Sequence, residues 1–96
     1  YLFLKRNALL NNISFPNLLE IEGELTIYNN AQLTHIGNFN ALQTISDLSI
    51  KGDTNLIDIN GLNSDLNVLN RINIEGNESL ENITGFNGAT EITLLN

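Results

Sequence analysis

Few groups in this chain could do chemistry. The 96 residues include one His, no Cys, four Lys plus Arg and eleven Asp plus Glu. His35 and Asp58 stand 23 positions apart, Asn12 lies 23 before and Asn82 24 after, and Ser14 and Thr84 are close by. These residue types could form part of a Ser/His/Asp set. Such a set needs a nucleophile within hydrogen-bond reach of its base and an oxyanion site in a pocket. A flat wall of equally spaced residues offers neither, so the preferred reading is an exposed turn column that happens to hold a His. No enzyme is expected.

Other chemistries are excluded by composition. Without Cys there is no disulfide framework, Cys-based zinc site or thiol nucleophile. A formal net charge of −7 opposes binding to nucleic acid or anionic lipid. No apolar run approaches the roughly 18 residues of a membrane span. The G-G-x-G-x-D calcium motif of some β-helices is absent, and Asp53 is the only acid in its column, so neither metal nor cofactor is expected. Asn12-Ile13-Ser14, Asn77-Glu78-Ser79 and Asn82-Ile83-Thr84 match the glycosylation acceptor pattern, which has meaning only in a eukaryotic source.

The elements that must position these residues come from a repeat. Leu and Ile together number 29 and Asn numbers 18. "LFLKRNALLNNI" (Leu2 to Ile13), "LTIYNNAQLTHI" (Leu25 to Ile36), "LSIKGDTNLIDI" (Leu48 to Ile59) and "INIEGNESLENI" (Ile72 to Ile83) recur at intervals of 23, 23 and 24. All read apolar-x-apolar-x-x-(Asn/Asp)-x-x-Leu-x-x-Ile. Further apolar pairs follow at Leu42/Ile45 and at Leu66/Leu69, and one extra residue falls between Asn63 and Asn70. Leu95-Asn96 would begin a fifth strand.

Each apolar-x-apolar piece has the period of a strand. The later steps of three, interrupted by Asn and Gly, disfavour a helix. The pattern therefore predicts an all-β repeat solenoid: a single-stranded right-handed β-helix of about four coils of ~23 residues. Phe15, Phe39, Leu62 and Phe86 should form one inward column, and Ile13, Ile36, Ile59 and Ile83 another. Asn7, Asn30, Asp53 and Asn77 should form a structural ladder at the corner after each strand, where a side-chain amide can satisfy backbone groups of its own and the next turn. Asn40, Asn63 and Asn87 should do the same at a second corner. Gly52, Gly61, Gly76 and Gly85 are expected at bends that need unusual backbone angles.

The outward face of the first strand is the candidate binding surface. It should present Thr26, Ser49 and Asn73 in one column and Tyr28, Lys51 and Glu75 in the next, flanked by Glu24, Asp47 and Arg71. Planar polar faces of this kind are the usual binding surface of solenoids. The alternative is a solvated face with cross-turn pairs, Asp47 with Arg71 and Lys51 with Glu75. Tyr28 is its only expected aromatic, which argues against a strong hot spot.

The pattern L-x-I-x-x-N-x-x-L-x-x-I, then F-x-x-L-x-x-I, resembles the receptor L domain, a relative of leucine-rich repeats. "LTIYNNAQLTHIGNFNALQTI" and "INIEGNESLENITGFNGATEI" carry the likeness, which covers nearly the whole chain. The family supplies ligand-binding modules of insulin- and growth-factor-receptor ectodomains, with similar arrays on fungal cell walls and in bacterial surface proteins. The resemblance implies a right-handed β-helix, an extracytoplasmic location (cell surface, secreted or periplasmic) and a protein-binding role. The chain lacks the cysteines and capping helices of the receptor members, and its Cys-free, Asn-rich composition points to a bacterial surface type.

Residues 1–96 are thus expected to form a single solenoid domain, a segment of a longer protein. No signal peptide is recognisable at Tyr1. Uncapped ends allow end-to-end self-association. The functional expectation is a non-catalytic module that binds protein or glycan through one face. A structural spacer or adhesin stalk is the alternative, and a β-helical polysaccharide-active enzyme a distant third.

Overall fold

The computed structural model describes residues 1–37, 39–59, 61–62 and 66–81, together with the backbone of 91–95. Among these residues the protein is all-β without a helix, its parallel strands stacked as a β-solenoid of about three turns. The strands are β1 (Leu2–Lys5), β2 (Asn12–Ile13), β3 (Glu24–Tyr28), β4 (His35–Ile36), β5 (Thr44–Lys51), β6 (Asn67–Glu75) and β7 (Glu91–Leu95). A five-stranded sheet runs β1-β3-β5-β6-β7, and β2 pairs with β4 on a second wall. Every pair is parallel, because each strand's partner is the same piece of the neighbouring repeat rather than the next element along the chain.

The register follows the sequence period. Leu2 pairs with Leu25, Leu25 with Leu48, Leu48 with Ile72 and Ile72 with Ile92. Like therefore stacks on like, and the inward columns close into one core. Leu25, Ile27, Leu33, Ile36, Phe39, Leu42, Ile45, Ile50, Leu56 and Leu66 are all fully buried. At about 1.5–3 kcal/mol for each buried Leu, Ile or Phe, these columns supply most of the drive to fold.

Of the expected aromatic column, Phe39 bridges to Leu62 in parallel, and Phe15 packs on Phe39 with ring centroids 5.4 Å apart. Phe15 itself is partly exposed, since it belongs to the first turn. Ile13, Ile36 and Ile59 are buried as a column; Phe86 and Ile83 lie outside the described residues.

Two inward assignments change. The extra residue of the third repeat is a β-bulge: Ile45 pairs with Val68 and Asp47 with Arg71, so Leu69 and Asn70 together oppose Ser46. Val68 thereby enters the core in place of Leu69, which is 47% exposed. Asn40 is exposed in a turn rather than turned inward, while Asn63 and Asn87 lie outside the described residues.

The corner after each strand is built the same way four times. The carbonyls of Asn7, Asn30, Asp53 and Asn77 accept from the amides of Leu10, Leu33, Leu56 and Leu80 at 3.0–3.1 Å, each closing a tight turn. The residue just before each of them, Arg6, Asn29, Gly52 or Gly76, has φ between 54° and 69°. A left-handed residue thus re-aims the chain at each of these four corners, and Gly serves there without strain. Gly61 stands in a turn, and Gly85 lies outside the described residues.

Candidate functional site

The five-stranded sheet turns Leu and Ile inward and, by alternation, the intervening residues outward. Phe3, Thr26, Ser49 and Asn73 are paired in that order across the strands, with Thr93 next on the β7 backbone. Lys5, Tyr28, Lys51 and Glu75 form the neighbouring column. The expected face is therefore assembled, and all six residues proposed for it share one surface.

Its exposure differs from expectation. Thr26 and Ser49 are only 8% and 9% exposed. Thr26 has Phe3, Glu24, Tyr28 and Ser49 as same-face neighbours, and Ser49 has Thr26, Asp47, Lys51 and Asn73. Thr26 Oγ1 and Asn73 Oδ1 are buried without a hydrogen-bond partner. The charges that frame the column pair across turns. Lys51 Nζ lies 3.0 Å from Glu75 Oε1, and Arg71 Nε donates to Asp47 Oδ1 at 3.3 Å.

Between these pairs the face is hollowed. A cavity of about 250 Å³ is lined by Glu24, Asp47, Ser49, Lys51, Arg71 and Asn73, with Leu48 and Ile72 at its floor. Two acids and two bases line it, so it has no net charge. It sits where β5 and β6 leave the bulge at Ser46, which tightens local twist. A second hollow of about 320 Å³, more apolar, lies at the first turn among Tyr1, Leu2, Phe15, Leu18 and Ile21.

Sequence reasoning missed an aromatic part of this face. Phe3 is half exposed in the Thr26 column, its ring 5.9 Å from that of Tyr1, with Lys5 Nζ 4.6 Å above it. Arg6 lies over the Tyr28 ring at 5.9 Å. The signal was present, because the 23-residue offset that aligns Leu2 with Leu25 also aligns Phe3 with Thr26. Tyr28 is thus not the only aromatic on the surface.

The His35 column is as expected in position. Asn12 pairs with His35, His35 bridges to Asp58, and His35 Nδ1 lies 2.6 Å from Asp58 Oδ2. The His side chain is 56% exposed. Thr84 and Asn82 lie outside the described residues. Among the described residues no group of three or more His, Asp or Glu is placed to hold a metal ion, and no helix is long and apolar enough to cross a membrane. Of the glycosylation acceptor matches, Asn77 is fully buried and hydrogen-bonded, so the folded chain offers no access there.

The ladder is present at all four rungs. Asn30 Oδ1 accepts from Asn7 N and Nδ2, both at 3.1 Å; Asp53 Oδ1 accepts from Asn30 N at 2.8 Å and Nδ2 at 3.0 Å; Asn77 Oδ1 accepts from Asp53 N at 2.9 Å. Asn30 Nδ2 also donates to Leu4 O and Asn77 Nδ2 to Ile50 O, each at 2.9 Å. No protein-family model, curated protein or solved structure matches the chain.

Proposed function

We propose that this chain is a non-catalytic, extracytoplasmic interaction module that binds a protein or glycan ligand through the outward face of its five-stranded sheet. The reading includes the finer architecture: about four right-handed coils of ~23 residues, of the receptor L domain and leucine-rich-repeat kind, in a cell-surface, secreted or periplasmic protein. The observation that carries it is the polar hollow on that face, lined by two acids and two bases and framed by two ion pairs, on the same sheet face as Phe3 and Tyr28. A planar parallel sheet holds these groups at fixed spacing, so little ordering is needed on binding. Neutral overall charge with both signs present suits a polar partner with donors and acceptors, such as a glycan or a mixed-charge protein surface.

A spacer or stalk without a dedicated ligand is the second reading, favoured by the mutual pairing of Lys51 with Glu75 and Arg71 with Asp47. The two separate in one experiment. The chain is applied to a glycan array and to a panel of immobilised secreted proteins, beside the triple variant Tyr28→Ala, Lys51→Ala, Glu75→Ala. Binding by the wild type that the variant loses supports the module. Equal binding by both, or none by either, favours the spacer.

A further inference from the structure

The ladder obeys a rule that one rung breaks. Asn30 and Asn77 each use the side-chain oxygen to accept from the preceding rung and Nδ2 to donate to a carbonyl of the preceding turn. That carbonyl lies three residues before the preceding rung: Leu4 before Asn7 for Asn30, and Ile50 before Asp53 for Asn77. By the same translation the acceptor in line for rung 53 is the Ile27 carbonyl. Asp53 has no Nδ2. Its Oδ1 takes both donors of Asn30, while its Oδ2 is buried and without a partner. An ionised carboxylate would set a charged lone pair toward a carbonyl oxygen in a site closed to water, which is costly.

We propose that Asp53 is a proton-binding site of the folded solenoid, holding a neutral carboxylic acid whose Oδ2–H takes the donor role of an Asn amide toward the Ile27 carbonyl. Its described hydrogen-bond donors, the Asn30 N–H and side-chain amide, carry no charge. The rungs that sandwich it, Asn30 and Asn77, are uncharged. Lys51 and Glu75, at the adjoining strand ends, pair with each other and are about one-third exposed on the outward face. Glu78, beside Asn77, is exposed. None of the described hydrogen bonds or ion pairs joins Asp53 to a charged side chain. Burial pushes the carboxyl above its ordinary 3.8, against the opposing pull of the Asn30 N–H and amide donors.

The sign follows from linkage. The folded state holds the proton more tightly than the unfolded chain, so this group's contribution is fully present below 3.8 and is lost as pH rises through the folded-state value. Between those two values the unfolding equilibrium constant should rise up to about tenfold per pH unit, then level off. The solenoid thus carries an acid-stabilised joint between its second and third turns.

The test compares urea unfolding of wild type and Asp53→Asn across pH, using the difference between them to cancel the other carboxylates. The variant restores the rung rule and should fold. It should be more stable than wild type at neutral pH, with a gap that shrinks as pH falls toward 3.8. A carboxylic-acid C=O stretch in the infrared spectrum of the folded wild type should vanish in Asp53→Asn. The reciprocal change Asn77→Asp should introduce a second pH-dependent loss of the same sign. A wild-type-to-variant gap that is flat with pH, one that shrinks as pH rises, or no acid band attributable to Asp53 overturns the proposal.

Discussion

Replacing Asn30 by Ala should be among the most damaging single changes in the chain, although it removes no hydrophobic surface. The side chain is fully buried and takes part in four hydrogen bonds. Ala would leave the Asn7 N–H without its acceptor, at about 1–3 kcal/mol for an orphaned partly buried donor. The bonds to Leu4 O and Asp53 Oδ1 are each worth about 0.5–1.5 kcal/mol net. The sum is roughly 2–6 kcal/mol, against a total stability of about 5–15 kcal/mol for an ordinary domain. At about 4–8 °C per kcal/mol for this size, a mid-range loss lowers Tm by roughly 15–30 °C. Urea unfolding followed by far-UV circular dichroism measures it, with the exposed Gln32→Ala as control, expected within about 0.5 kcal/mol of wild type. A loss under about 1 kcal/mol for Asn30→Ala would refute the reasoning, because the ladder would then be decoration on a core that holds itself.

Other substitutions probe the remaining parts of the coil. Gly52→Ala should cost about 1–2 kcal/mol in the same assay, since φ is 66° and the new methyl would strike the Asn29 side-chain oxygen. Asn29→Gly, at φ 54° in the equivalent place, should be close to neutral. Leu33→Ala should cost about 2–5 kcal/mol, being fully buried where neighbouring turns stack. His35→Ala should change stability by less than about 1 kcal/mol, because its partner Asp58 shares an open surface, and a larger loss would mark the pair as more than a surface contact.

Much of this fold is legible in the sequence because a solenoid repeats its physics. One offset of 23 places Leu2, Leu25 and Leu48 in one column and Asn7, Asn30 and Asp53 in another, and the longer third repeat carries the step to Asn77 to 24. Chemistry at the corners reads directly too, since few residues besides Asn and Asp can both open a tight turn and bridge to the next. What escapes is local. Leu69 and Val68 are both apolar, and only the bulge opposite Ser46 decides which one enters the core. Arg6 gives no hint of a positive φ until it is aligned with Gly52 and Gly76. The occlusion of Thr26 and Ser49 depends on the reach of neighbouring side chains, which periodicity does not encode. The orphaned oxygen of Asp53 is likewise invisible as a type, because Asp for Asn is the mildest of changes in sequence and puts an oxygen where the amide nitrogen would stand.

Repeats one period apart lie side by side, parallel and in register. Nuclear Overhauser contacts between backbone protons of β3 and β5 test this arrangement most directly. Contacts are expected to link Leu25 with Leu48, Thr26 with Ser49 and Ile27 with Ile50, in the evenly spaced pattern of parallel strands. Antiparallel contacts between strands adjacent in the chain, or no contacts at the 23-residue offset in the folded protein, would contradict it.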